Sequence, residues 1–340
     1  MQRIAVAILA AGLLQMAFMF WCMLRRGISP RFTFSGWFTP EVKRVWRNTA
    51  LAALGAGAVQ INYALDQVLA QCAAPWAAGV VGYAERLMDL PLGVVGVAFG
   101  TVLLPSFAGM FAKKDVPGAR EAFFTSTRSM LFVMLPAAVG LGVLAPEVTA
   151  AIYKGGAFDA DAVRRVSRAV ACYAFGLGFF GLQKSLVPWF QAQNDMKTPL
   201  RVSVATVFLN ATLNVLAVLL LPVEWRHVGL AASTVVCAGA GCALLVVAAR
   251  RLNGRLGLSR TVRPLVRVAC ASAAMGAILW LLRPATAPFA SRFGERMGPV
   301  VQLAVLVAAG MAVYGALSLF AMREQLSAFL RRRRNAGRAK

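Results

Sequence analysis

Residues 228–249 read VGLAASTVVCAGAGCALLVVAA, with His227 before them and Arg250 and Arg251 after them. No charged residue interrupts the stretch. At a rise of about 1.5 Å per residue a helix of this length crosses a hydrocarbon core about 30 Å thick. The run is continuous and rich in Ala, Gly, Leu and Val, whereas a barrel strand would alternate. A helix also satisfies its own backbone polar groups in lipid, so helix is the reading. Working outward, comparable runs occupy residues 4–24, 48–69, 76–111, 130–153, 163–190, 199–221, 265–282 and 299–320. With 59% hydrophobic and 14% charged residues, against about 45–50% and about 25% in soluble domains, the chain is predicted to be all-α. The expected architecture is a polytopic membrane helix bundle of about nine transmembrane helices. Pro91, Pro105, Pro136, Pro146 and Pro188 are the expected kinks or ends.

The net charge of +23 would point to nucleic acid in a soluble protein, but the charges lie between the apolar runs. Of the Lys and Arg residues, 25 fall in segments 25–48, 113–128, 191–201, 250–267 and 323–340, and nine fall on the opposite side. The positive-inside rule makes the first side cytoplasmic, with the carboxy terminus inside and Met1 outside. The tail, with arginines 331–334, reads as a contact for anionic membrane lipids and not for nucleic acid. Phe32, Phe34, Trp37 and Phe38, followed by Lys43 and Arg44, read as an interfacial segment on the cytoplasmic face. The first apolar run is longer than a signal-peptide core and has basic residues, Arg25 and Arg26, where an anchor would carry them; it reads as a span. An outside amino terminus without a preceding span leads to the expectation that further spans lie upstream.

Ionisable residues inside a span are costly and therefore mark candidate sites. Glu85, Arg86 and Asp89 lie within about one helical turn, with Glu85 and Asp89 four apart and Arg86 three before Asp89. They read either as a self-neutralising ion cluster or as a guanidinium presented to a phosphate or carboxylate and oriented by the two acids. Asp66 lies deep in the second run; Asn210 and Asn214 share a helix face, and Thr234 lies in the seventh run. This oxygen set suits a monovalent cation such as Na⁺, and equally suits ordinary hydrogen bonding between helices. Lys184 is a further polar point that could snorkel, pair with an acid or meet an anionic substrate. Cys22, Cys72, Cys172, Cys237, Cys242 and Cys270 form no CxxC pair and read as small core residues. No nucleotide loop, zinc spacing or nucleophile elbow is present, and a hydrolase would have to use His227 at a membrane edge. The expectation is a transporter and not an enzyme.

Tyr83-AERLMDLPLGVVGVAFGTVLLPSF-Ala108, Gly155-GAF-Asp159, Phe190-QAQNDMKTPLRV-Val202 and His227-VGLAAST-Thr234, in that order, resemble the MurJ (MviN) lipid II flippases of the multidrug/oligosaccharidyl-lipid/polysaccharide exporter superfamily. The resemblance implies a two-lobed alternating-access transporter that exports the undecaprenyl-pyrophosphate-linked peptidoglycan precursor across a bacterial inner membrane. It implies that Arg86 meets the lipid pyrophosphate, with Glu85 and Asp89 as cavity acids. It also implies that Asp66, Asn210, Asn214 and Thr234 match a sodium-holding set in which Asn214 stands where an Asp is frequent. Coupling to Na⁺ or to the membrane potential follows as an expectation, with no other cofactor.

On this register, residues 1–24 correspond to the last helix of an amino-terminal lobe and 25–48 to a cytoplasmic interfacial linker. Residues 49–250 form a carboxy-terminal lobe with cavity helices. Residues 251–322 are two terminal helices forming a lipid-facing groove, and 323–340 are a basic cytoplasmic tail. The family has fourteen spans and this chain resembles one beginning at the sixth, so the chain is expected to be a truncated form or to pair with a second polypeptide or copy that supplies the other lobe. A flippase for another polyprenyl-linked saccharide, a cation-coupled drug exporter of the same superfamily and a non-transporting scaffold for cell-wall enzymes are the alternatives.

Overall fold

A computed structural model describes residues 2–27, 39–156, 158–254 and 259–336. The interfacial aromatics Phe32, Phe34, Trp37 and Phe38 lie outside the described residues, as do Met1 and residues 337–340. The chain is 91% helical. In order the helices are α1 (Gln2–Arg25), α2 (Pro40–Ala73), α3 (Ala77–Ala112), α4 (Val116–Val143), α5 (Ala145–Tyr153), α6 (Ala160–Ala192), α7 (Lys197–Leu220), α8 (Val223–Asn253), α9 (Ser259–Ser291) and α10 (Gly294–Ala336).

Among the described residues, α4, α6, α7, α8, α9 and α10 are long and apolar enough to cross a membrane, and α3 makes a seventh if its two bent halves form one span. Of the other two expected spans, α1 is a 24-residue helix with Leu9–Arg25 as its described apolar stretch, and α2 is diluted by Gln60, Asn62, Asp66, Gln67 and Gln71. The run at 130–153 is two helices. It breaks at Leu144, because Pro146 in the first turn of α5 has no N–H to continue the ladder of α4. The bend of α3, 42°, falls between Gly96 and Ala98, not at Pro91.

The chain divides into two compact units, Met1–Thr49 and Ala50–Lys340. In the first, α1 exposes Leu13, Leu14, Met16 and Phe18, and Arg25 lies 4.2 Å over the Trp21 ring, a pairing suited to the edge of a membrane.

In the second unit α6 is the central post, packed by α3, α4, α5 and α8, while α7 leans on α8. Close approach is set by small residues. A Cβ at Gly176 would stand 2.6 Å from the Phe180 ring and 2.9 Å from Val235, and one at Gly181 would stand 3.1 Å from Met134. Met130, Met134, Tyr173, Leu177, Leu87 and Ala84 fill the middle of the unit. Phe107, Phe123, Trp189 and Phe190 fill one end. Helices α9 and α10 pack on each other and against α4 and α5 through Met275, Leu279, Leu306 and Leu144. Large apolar side chains such as Phe175 (80% exposed), Phe208, Leu220 and Trp280 point outward, whereas Asp66, Asn210 and Asn214 are buried. Apolar outside and polar inside is the arrangement that lipid as solvent selects.

The connections explain why two of the recurring sequence stretches look as they do. In 190–202, Asn194 adopts a left-handed φ of 58° after α6, and Asp195 accepts from the Thr198 backbone N–H at 3.0 Å to start α7. In 155–159, Gly156 is left-handed at 58° and Asp159 caps α6 through the Ala162 N–H at 2.7 Å. That turn sets Phe158 against Tyr83 and Tyr153.

Candidate functional site

The residues singled out from sequence lie on α2, α3, α6, α7 and α8, all within the second unit. Asp66, at 1% exposure, is the hub. The Asn62 amide donates to one carboxylate oxygen at 3.2 Å and the Asn214 amide to the other at 2.5 Å. The same Asn214 nitrogen donates to Asn210 Oδ1 at 2.7 Å. Asn210 donates to Thr234 Oγ1 at 3.3 Å, and Thr234 donates to the Leu230 carbonyl at 3.2 Å. The four residues expected to form an oxygen set are thus one hydrogen-bonded chain joining α2, α7 and α8.

A hard cation would need to sit among these oxygens, yet the Asn214 –NH₂ group already bridges Asp66 Oδ1 and Asn210 Oδ1. An Asp there would carry no proton donor at neutral pH and would leave that position to a cation; Asn supplies its own. One acceptor, Asn214 Oδ1, is buried and has no hydrogen-bond partner. In this arrangement the set does not fit a resident Na⁺, and no step is derived through one.

The acids of α3 separate by helix face. Glu85 turns inward, where the hydroxyl of the fully buried Tyr173 stands 3.5 Å from Oε1 and Gln67 of α2 adds a polar contact. Asp66 and Glu85 act on each other electrostatically, which joins two clusters that the sequence presented as separate. Arg86 and Asp89 are both exposed. The expected Arg86–Asp89 pair is not formed: among the described residues Arg86 makes no ion pair. The cation acting on Asp89 is Lys184 instead. The Lys184 chain passes over the bend of α3, its Cε 3.8 Å from where a Cβ at Gly96 would stand. The charge that acts on Asp89 thus comes from an adjacent helix and not from the i, i+3 position on its own helix.

Tyr63 and Tyr173 belong to this group and were not singled out from sequence. Tyr63 lies in the field of Asp89, Glu85 and Asp66. A tyrosine in an apolar run is visible in the sequence, but which carboxylate it meets is decided by helix packing. Beside Arg86, Tyr83 and Tyr153 stack at 4.8 Å between centroids, and the Tyr153 hydroxyl donates to the Tyr83 carbonyl at 3.4 Å. The seam thus carries two cationic side chains able to meet an anion, Arg86 exposed on α3 and Lys184 beside the α3 bend.

A bundle of this kind, apolar outside and with ionisable groups gathered along interior helices, is that of a polytopic membrane protein, and solved structures share the fold. A solved structure described as a lipid II flippase MurJ in an inward closed conformation matches with a TM-score of 0.66 at 19% identity, covering 91% of this chain and 60% of that one. An outward-facing multidrug resistance MATE family transporter of the MOP superfamily matches with a TM-score of 0.52 at 14% identity, covering 83% and 68%.

The profile of the family described as lipid II flippase MurJ matches residues 1–294, and the chain belongs to that family. A probable lipid II flippase MurJ of Rhizobium tropici is 32% identical over 308 residues, covering 91% of this chain and 57% of the relative. One of Rickettsia prowazekii is 31% identical over 242 residues, covering 71% and 46%. The chain therefore spans about half the length of these curated relatives. It is a multi-pass inner-membrane protein of a transporter family.

Proposed function

We propose that the chain is the carboxy-terminal, substrate-contacting part of a lipid II flippase, which moves the undecaprenyl-pyrophosphate-linked peptidoglycan precursor from the cytoplasmic to the outer leaflet by alternating access. The observation that carries this reading is Arg86, an exposed guanidinium on α3 that makes no ion pair among the described residues, in a chain of the lipid II flippase family. Arg86 attracts the pyrophosphate through a forked pair of charge-assisted hydrogen bonds. Lys184 adds a second positive contact, and Glu85 and Asp89 limit how tightly the anion is held. The α3 bend at Gly96 supplies the hinge, and the terminal helices at 251–322 carry the lipid tail.

The closed hydrogen-bonded chain around Asp66 favours coupling to the membrane potential over coupling to bound Na⁺. In this reading the carboxy terminus is cytoplasmic, the basic tail meets anionic lipid there, and a second polypeptide or copy supplies the other lobe.

The test is rescue of a conditional lipid II flippase depletion strain. The chain is expressed alone and joined to the additional length of the Rhizobium tropici relative, each with Arg86 or with Arg86→Ala, at matched membrane levels. The joined Arg86 protein is expected to restore growth and the Arg86→Ala form is not. Equal rescue by both forms removes Arg86 from the mechanism. No rescue by the joined Arg86 protein overturns the flippase reading itself.

A further inference from the structure

Away from the Asp66–Arg86 seam, the opposite end of α6 carries Arg164, Arg165 and Arg168 within little more than one turn. They line a cleft of about 170 Å³ together with Trp76 and Glu224. The connections α2–α3, α5–α6 and α7–α8 bring these residues to one membrane face. The Arg165 guanidinium lies 4.2 Å over the Trp76 ring and that of Arg168 lies 4.7 Å over the Trp225 ring. Trp76 is held edge-on by His227, 5.2 Å away and fully buried.

The arginines are not neutralised. Arg164 pairs with Asp161 at 2.9 Å, but among the described residues neither Arg165 nor Arg168 forms an ion pair. Three like charges one turn apart repel one another, and the start of a helix, with its positive dipole end, offers them no relief. Stacking on indole fixes each guanidinium plane while leaving its N–H edge open, the geometry that takes phosphate oxygens two at a time.

A second groove, of about 390 Å³, shares Arg164 and Arg168 with the cleft. Its walls are largely apolar, including Val143, Pro146, Val163 and Ala171, with Arg283 at its edge. A cationic cleft opening into an apolar groove on the membrane-facing surface has the shape of an amphiphile with a charged head.

We propose that this cleft binds the phosphate of an anionic membrane lipid, with the lipid chain lying in the adjoining groove. Arg165 and Arg168 hold the phosphate, and Trp76 and Trp225 set the level of the headgroup. Glu224 on the rim opposes the anion and keeps the lipid exchangeable. The site is distinct from Arg86 and does not depend on the transport reading.

The test uses the purified full chain in bilayers containing brominated phosphatidylglycerol or brominated phosphatidylcholine. Quenching of the Trp76 and Trp225 fluorescence is isolated by subtracting a Trp76→Phe, Trp225→Phe variant. Phosphatidylglycerol is expected to be preferred roughly fivefold or more, one basic contact near an anionic lipid being worth about that factor. Arg165→Gln with Arg168→Gln abolishes the preference, and Glu224→Gln raises it. Equal quenching by the two lipids, or a preference that survives in the double-Gln variant, overturns the proposal. The variants are compared at equal helical circular dichroism, and the opposite sign expected of Glu224→Gln separates binding from damage to the fold. Inorganic phosphate in excess distinguishes the sources of the anion. A preference that persists in its presence supports the lipid, and complete loss assigns the cleft to the free ion and overturns it.

Discussion

The two ends of α6 use the same aromatic chemistry to different ends. Near its carboxy terminus Trp189 is buried, ringed by Phe107, Phe111 and Phe123 at centroid distances of 5.6, 5.0 and 5.4 Å. Its indole N–H is used up by Asn253 at 3.2 Å, and Asn253 in turn donates to Gln193 at 3.0 Å and accepts from Arg120 through its carbonyl. At that end the Trp189 indole, the Asn253 amide and the Asn253 carbonyl each meet a partner inside the protein. Near the amino terminus Trp76 and Trp225 remain partly exposed, and among the described residues the arginines stacked on them form no ion pair. A satisfied cluster holds helices together, whereas a cluster with unspent charge is positioned to bind. The same contrast separates Asp66, closed in by amides, from Arg86, which is exposed and unpaired.

The strongest way to break the comparison is Trp189→Ala. Removing a fully buried ring is expected to cost about 3–5 kcal/mol, read as a large fall in melting temperature of the detergent-solubilised protein. A small fall would mean that this end is not the structural anchor.

Next in size is Arg283→Ala. Arg283 pairs with Glu147 at 2.7 Å, and the Glu147 side chain is 10% exposed. Leaving that carboxylate without its cation is expected to cost about 2 kcal/mol. Adding Glu147→Gln should recover part of it, so a double-mutant cycle with no coupling energy would show the pair to be incidental.

Asn214→Asp sharpens the Asp66 half of the contrast. A second carboxylate in place of the bridging amide is expected to lower stability by about 1–3 kcal/mol in potassium buffer, through loss of a buried hydrogen bond. It should also create stabilisation by Na⁺, which grows with ligand concentration. The parent protein should melt at the same temperature in both buffers, and Na⁺-dependent melting of the parent would show that the amide does not stand in for the ion.

The smallest expected effect on stability belongs to Arg165→Gln, about 1 kcal/mol for a half-buried cation–π contact. A larger loss would make the arginine end structural after all.

Much of the helical layout was legible in the sequence, because a membrane span needs a long apolar run and such runs stand out. Runs at 199–221 and 228–249 reappear as α7 and α8 with ends shifted by a few residues. Pro146 announced the break between α4 and α5, since an imide nitrogen cannot continue a helical ladder. The polar content of α2 blurred its status as a span, because the residues that serve the interior also lower its apolarity.

The site was legible as residue types and only partly as contacts. Spacing placed Asn210 and Asn214 on one face of α7, and they do bond to each other. Spacing also placed Arg86 near Asp89, yet the cation that acts on Asp89 is Lys184, on another helix. In the sequence the arginines at 164, 165 and 168 count only among the nine basic residues opposite the cytoplasmic side, since nothing local in the chain points to Trp76, some ninety positions away, or to Trp225.

By itself the sequence determined that the protein is helical, built for lipid, and equipped with a few ionisable groups too costly to place in a membrane without purpose. Local propensity and hydrophobic length are properties of single segments, so a single chain reading recovers them. Which groups are satisfied and which are left open was decided only by the tertiary structure. Hydrogen bonds and ion pairs across helices depend on rotation and depth, and those are fixed by packing small residues such as Gly176 and Gly181 against their neighbours.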